Sequence, residues 1–279
     1  MQAAEILMIR RAMHRCTGAL VAVLVAGAMG CRTRHDVPKP EARSGSAAPV
    51  VVPTTMAPPP PIAPAPRPVD PPGTYMGRRL ATTMSHIGAP WLTRDTRDKE
   101  ENTKRLMAAL ALLPGQTACD LGAGNGYHTL MMAAAVAPTG RAIAADLQPK
   151  MLALLQARAK AANISNIDVV LSDANDSKLP VAGCDVVLMA DVYHELSDPA
   201  AVLAQLQRVL KPTGTIALVE FRAEDPEVPV KELHKMSKAQ ILREYQANGF
   251  TLVRSVDDLP WQHLMFFAVA ASPPAGSGS

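Results

Sequence analysis

The sequence predicts an α/β domain built on a doubly wound, mostly parallel sheet of about seven strands, the last of them antiparallel. Three observations carry this. Between residues 116 and 221, short apolar runs alternate with longer helix-like segments, the pattern of strand–helix–strand units whose sheet is covered on both faces. Four of the apolar runs end in an acid, at Asp120, Asp146, Asp173 and Asp191. In such sheets ligands bind outside the carboxyl ends of the strands, which is where those acids fall. The last two apolar runs, 250–255 and 263–270, have no helix between them, so they pair antiparallel.

Taken in order, residues 75–91 mix arginine, histidine and tryptophan with apolar residues and are expected to form one or two short helices. Residues 95–113 read as one longer helix, with Leu106, Leu110 and Leu113 at helical spacing and Pro114-Gly115 as the stop. An apolar run, 116–121, then enters Asp120-Leu121-Gly122-Ala123-Gly124-Asn125-Gly126, followed by a helix-like segment, 127–137. That is a buried strand, a tight turn and a helix start. Glycines permit positive φ and close approach of a ligand to the backbone, and the helix start offers free N–H groups. The turn suits a nucleotide-like ligand.

A short strand, 141–145, ends at Asp146, and a helix over 149–162 follows. Strand 167–171 ends at Ser172-Asp173, and strand 184–190 at Asp191. Helix 199–210 has Asp198 as N-cap and Pro199 in its first position. Lys211-Pro212-Thr213-Gly214 turns into strand 215–221. Helix 237–248 opens on a capping box, Ser237 with Gln240 three on, and closes at Gly249.

The N-terminal part is of another kind. Arg10, Arg11, His14 and Arg15 precede a charge-free apolar run, 19–29, the n-region and h-region of a signal peptide. The run is shorter than the ~20 residues of a spanning helix. Ala28-Met29-Gly30-Cys31 resembles a bacterial lipobox, with Ala28 where leucine is usual, which would lipidate Cys31. Residues 37–73 are dominated by Pro, Ala, Val and Ser and form an extended spacer of ~3.1 Å per residue. The expected organisation is a signal or lipobox-like segment 1–31, a disordered linker 32–73, a helical segment 74–114 that either stitches the first helices to the sheet or serves as substrate lid, a core domain 115–271 and a disordered tail 272–279. The protein is expected to be an exported or membrane-anchored lipoprotein; the alternative is a cytoplasmic protein starting at Met76 or Met84.

A net charge of +3 without a dense basic patch argues against a nucleic-acid partner. The four cysteines show no CxxC spacing, and no metal site is expected. Cys119 stands near the exit of its strand and Cys184 near the entrance of its own. They are therefore expected at opposite ends of parallel neighbours, too far apart to bridge, as two small buried residues.

At this point residues 94–270 resemble the class I S-adenosylmethionine-dependent methyltransferases, which have a Rossmann-like fold. Asp120-Leu121-Gly122-Ala123-Gly124-Asn125-Gly126 looks like their glycine motif, and Asp146 like the acid that holds the ribose hydroxyls. Asp173-Ala174 looks like the pair beside the adenine, and Asp191-Val192-Tyr193-His194-Glu195 sits where the family lines the methyl-transfer site. The resemblance implies S-adenosylmethionine as cofactor, a small-molecule acceptor, and a cofactor site of Asp120, Gly122, Ala123, Gly124, Gly126, Asp146, Leu147, Asp173, Ala174 and Asp191. Asp191 either faces the cofactor or caps the segment after its strand.

Methyl transfer is an in-line displacement in which the cofactor carries the reactive chemistry. His194 is the best-placed general base, with Tyr193 beside it. A nicotinamide enzyme would share the acid after the second strand, but glycines at 122, 124 and 126 do not follow G-x-G-x-x-G. A non-catalytic binding lipoprotein on the same fold is the other alternative.

Overall fold

The computed structural model describes residues 70–271; the expected signal segment, residues 32–69 of the linker and the tail lie outside the described residues. Two short strands, β1 (Thr74–Tyr75) and β2 (Arg78–Arg79), pair antiparallel, and a 3-10 helix spans His86–Thr93. Helices α1 (Arg97–Glu101) and α2 (Thr103–Leu110) follow. The single helix expected over 95–113 is thus two. Asn102 is the reason: its backbone is left-handed (φ 49°), closing α1, while its side chain accepts from Arg105 N–H and opens α2. Asparagine is among the few residues that visit this conformation readily.

The core alternates β3 (Thr117–Leu121), α3 (Tyr127–Val136), β4 (Arg141–Asp146), α4 (Pro149–Ala161), β5 (Ile167–Leu171), β6 (Cys184–Ala190), α5 (Pro199–Val209) and β7 (Leu210–Arg222). After a loop come β8 (Lys235–Met236), α6 (Lys238–Ala247), β9 (Phe250–Val256) and β10 (Gln262–Val269). The sheet runs β5-β4-β3-β6-β7-β10-β9, with β8 beside the end of β7. Neighbours β5 to β7 are parallel. β10 is antiparallel to both β7 and β9, as the missing helix between the last two runs predicts. Strand order reverses direction at β3/β6, and that switch point is where such sheets open a ligand crevice.

Successive strand residues face opposite sides, and the two faces have separate cores. Cys119, Val187, Met189, Ile216, Leu218 and Phe267 pack with Leu203, Leu206 and Tyr245 of α5 and α6. Ala118, Val186, Leu188, Ala217, Val219 and Phe266 pack with Leu106, Leu110, Met132 and Val136 of α2 and α3. Asp198 caps α5 by accepting from Ala201 N–H. At α6 only half of the expected capping box forms. Ser237 accepts from Gln240 N–H, but the Gln240 amide reaches Met76 O and Glu244 instead.

The cysteines depart from expectation: Cys119 and Cys184 are joined in a disulfide, their Cα atoms 5.9 Å apart. β7 begins at Leu210 rather than 215, pairing with Cys184, and the register shifts between Cys184 and Val186. Cys184 lies outside the regular ladder that pairs Ala118 with Val186, and both cysteines sit in the same apolar core.

Candidate active site

A cavity of about 730 Å³ opens at the carboxyl ends of β3, β4, β5 and β6, within the size range of small-molecule sites. Of the residues singled out from the sequence, Gly122, Gly124, Asp146, Leu147, Asp173, Ala174, Asp191 and His194 line it. Asp120, Ala123, Gly126 and Tyr193 are not on its wall.

The glycine turn is shaped by its packing. Gly122 has φ +77°, and a Cβ there would lie 2.4 Å from Val192 Cγ2. Only glycine admits both that backbone and that neighbour. Asp146, at the tip of β4, accepts from Gly124 N–H at 2.9 Å and Gln148 N–H at 2.8 Å. Its carboxylate is thereby oriented at the cavity edge, and burial raises its pKa. Asp120 lies behind the turn, 3% exposed, accepting from the Thr129 hydroxyl at 2.6 Å. Burial lifts its pKa to about 6, against the opposing pull of the Thr129 hydrogen bond. Asp173 is largely exposed and pairs with Lys178 at 2.8 Å, so it is Ser172 and Ser177 that sit more deeply at this end.

Asp191 has φ +56° and accepts from the Gln262 amide through both oxygens, at 3.0 and 2.8 Å. Burial, with Glu101 and Glu220 nearby, holds its carboxyl well above the usual range. Tyr193 turns into the core, donating to Glu244 at 2.8 Å beside Tyr245.

The segment before the core roofs the cavity. The Gln148 side chain donates to Met84 O and accepts from His86 N–H, both at 2.8 Å. Asn125 holds Ala89 O, and Arg97, buried and paired with Glu101, donates to Leu92 O at 2.7 Å. Of the segment's aromatic and basic residues, Trp91 and Arg97 reach the cavity. Arg78 and Arg94 are tied into ion pairs with Glu244 and with Glu100 and Glu101.

The far wall is polar and was only half visible in the sequence. Nδ1 of His194 lies 2.6 Å from Oε2 of Glu220, and its Nε2 lies 2.9 Å from Nδ1 of His234. Glu195 stands beside both rings. Burial lowers the His194 pKa, but Glu220 outweighs it and the net shift is upward. Burial raises Glu195 to about 7. His234 comes from the loop before β8, where no local motif marks it. Phe221 and Val230 complete this end.

An open, mostly parallel sheet with an acid-and-glycine turn and an acid closing the next strand defines a nucleotide-binding protein of the Rossmann-like class. The residues present fit S-adenosylmethionine: an oriented carboxylate at β4 for vicinal hydroxyls, an apolar Leu147 next to it, and a close-packed glycine turn. The profile of the methyltransferase domain family matches residues 112–259, more than half of the chain. The chain belongs to that family, whose cofactor is S-adenosylmethionine.

A stretch of 126 residues is 35% identical to an uncharacterized 37.1 kDa protein in a transposon of Streptomyces fradiae, covering 45% of this chain and 36% of that protein. Another of 127 residues is 31% identical to a demethylmenaquinone methyltransferase of Staphylococcus carnosus, covering 46% and 51%. The chain thus spans about half or less of these relatives. In fold, it matches a SAM dependent methyltransferase from Aquifex aeolicus with a TM-score of 0.64 at 22% identity, over 67% of this chain and 100% of that one. A putative methyltransferase of Haloferax volcanii, in complex with the Trm112 activator, gives 0.54 at 18% identity, over 67% and 97%.

Proposed function

We propose that the protein transfers the methyl group of S-adenosylmethionine to a small-molecule acceptor. One observation carries this: a single cavity joins the glycine turn and Asp146 at one end to the His194, Glu195 and His234 wall at the other. The cofactor supplies a methyl group activated on a sulfonium. The chain has then to align acceptor and methyl and keep water out. In this reading Asp146 accepts from the ribose hydroxyls, and Ser172 and Ala174 flank the base. Trp91, Leu92 and Phe221 shield the transfer zone, and the polar wall orients the acceptor. The demethylmenaquinone methyltransferases among its relatives support a small-molecule acceptor.

Calorimetry with S-adenosylmethionine and S-adenosylhomocysteine tests the reading. Asp146→Asn keeps one acceptor oxygen and loses one charge-assisted hydrogen bond, contributing about 1.5–3 kcal/mol, so affinity is expected to fall by about 10- to 150-fold. No binding at millimolar cofactor by the unmodified chain would sink the proposal. Binding without turnover across a broad acceptor panel would favour the non-catalytic alternative.

We also propose that the domain works outside the cytoplasm, tethered through Cys31 or an N-terminal anchor. The signal-like run and proline-rich spacer support this, and so does the Cys119–Cys184 disulfide, since disulfides persist in oxidising compartments. Fractionation of the tagged full-length chain with thiol trapping tests it. An unprocessed, reduced, cytosolic protein is the refuting result.

A further inference from the structure

We propose that His194, Glu195 and His234 form a binding site for one divalent transition-metal ion of the zinc type, on the acceptor side of the cavity. Two of the residues are consecutive on the 3-10 turn Tyr193–Glu195 and the third ends the turn Glu232–His234, so separate segments converge on one spot. His194 Nε2 and His234 Nδ1 are 2.9 Å apart. Glu195 Oε1 is 3.8 Å from the first and 3.6 Å from the second. A point equidistant from three atoms so spaced lies about 2.0 Å from each, the bond length zinc makes to imidazole nitrogen and carboxylate oxygen.

The surroundings agree with this. With the proton of His194 on Nδ1, facing Glu220 Oε2 at 2.6 Å, Nε2 keeps its lone pair free for an ion. A carboxylate behind a ligating histidine is the usual way a metal ligand is oriented. Glu220 is wholly buried, so that orientation is rigid. In the ion-bound form, with both imidazoles neutral and Glu195 and Glu220 ionised, a divalent cation cancels the two negative charges. Glu195, whose side chain is 12% exposed, otherwise has, among the described residues, only the Met84 N–H, 3.3 Å from each oxygen, as hydrogen-bond donor. A partly buried carboxylate so poorly compensated is costly, and a cation at the shared point compensates it. Two nitrogens and one oxygen suit zinc, cobalt, nickel or iron rather than magnesium or calcium, which take oxygen ligands.

All three residues line the cavity, so the ion's remaining positions face it. The acceptor class this selects is a small molecule bearing an oxygen able to occupy such a position. This role rests on the methyltransferase reading. In the transfer an acceptor O–CH3 bond forms, the sulfonium S–CH3 bond breaks with its electron pair passing to sulfur, and the acceptor proton leaves to solvent. Binding of the ion itself does not rest on that reading.

The test uses the tag-free full chain, stripped with chelator and titrated with Zn(II) by calorimetry and with Co(II) by visible absorption. One ion per chain is expected, with the ligand-field bands of low-coordinate cobalt. His234→Ala and Glu195→Gln should each abolish stoichiometric binding. Glu220→Gln, which touches no ion, should weaken it by about 10- to 100-fold. Circular dichroism checks that each variant is folded. His234 lies on a partly exposed turn, so its variant keeps the test decisive if the Glu220 variant does not fold. Absence of a bound ion, or unchanged affinity in folded His234→Ala, overturns the proposal. If S-adenosylhomocysteine still binds a chain that takes no ion, the methyltransferase reading survives and the two histidines are a hydrogen-bonded pair. Ion binding without cofactor binding gives the converse.

Discussion

Asp120→Asn isolates the energetic cost of the acid behind the glycine turn. Asp120 is 3% exposed and holds a hydrogen bond from Thr129, yet burial raises its carboxyl from 3.8 to about 6. A raised acid is protonated more readily in the folded than in the unfolded chain. Its contribution to stability is therefore full below pH ~4 and lost as pH rises through ~6. At 1.36 kcal/mol per pKa unit, the loss is about 3 kcal/mol. Asparagine keeps the size and one acceptor for Thr129 but does not titrate.

Urea unfolding of cofactor-free protein at pH 4.5 and pH 7.5, for both forms, gives a double difference in which all other titrating groups cancel. The unmodified chain should lose about 2 kcal/mol more than the variant on going to the higher pH, the rest having gone by pH 4.5, where the unfolded carboxyl is already largely ionised. Any cost of the new amide proton donors is the same at both pH values and drops out. Parallel stability profiles for the two proteins would refute the argument that burial controls this carboxyl.

Three further outcomes follow from the geometry. Gly122→Ala puts a Cβ 2.4 Å from Val192 on a backbone of φ +77°, so it should lower the melting temperature and abolish S-adenosylhomocysteine binding by calorimetry. The Cys119–Cys184 bond closes a loop of sequence separation 65, so reduction during denaturant unfolding should cost about 4 kcal/mol, read as a lower urea midpoint. Arg78→Ala leaves the wholly buried Glu244 without its 2.7 Å cationic partner, which should destabilise by about 3–5 kcal/mol. Adding Glu244→Gln should recover part of that loss in the same unfolding assay.

Much of the architecture was legible because it is written locally. Strand and helix periods from residue 116 onward, the cap at Asp198 and the acid-and-glycine turn each lie within a few consecutive residues, and local geometry follows from local chemistry. The antiparallel last strand followed from the absence of a segment. The helix break at Asn102 was not legible, because a left-handed backbone at one polar residue leaves the apolar spacing around it intact. Asp146 was visible as a strand-end acid. Its orientation by two backbone N–H groups was not, since one of them belongs to the turn after the neighbouring strand.

What the sequence by itself determined is the alternation of elements, the order of the acids along one sheet edge and hence the acid-and-glycine end of the cavity. What only the tertiary structure decided depends on distance between residues remote in the chain. Cys184 meets Cys119 across 65 positions, outside the regular β3–β6 ladder, where ladder spacing would have kept the two apart. The loop after β7 carried His234 to His194 and Glu195. No spacing rule announces such a cluster, because its three ligand atoms are neighbours only once the sheet and its loops have folded.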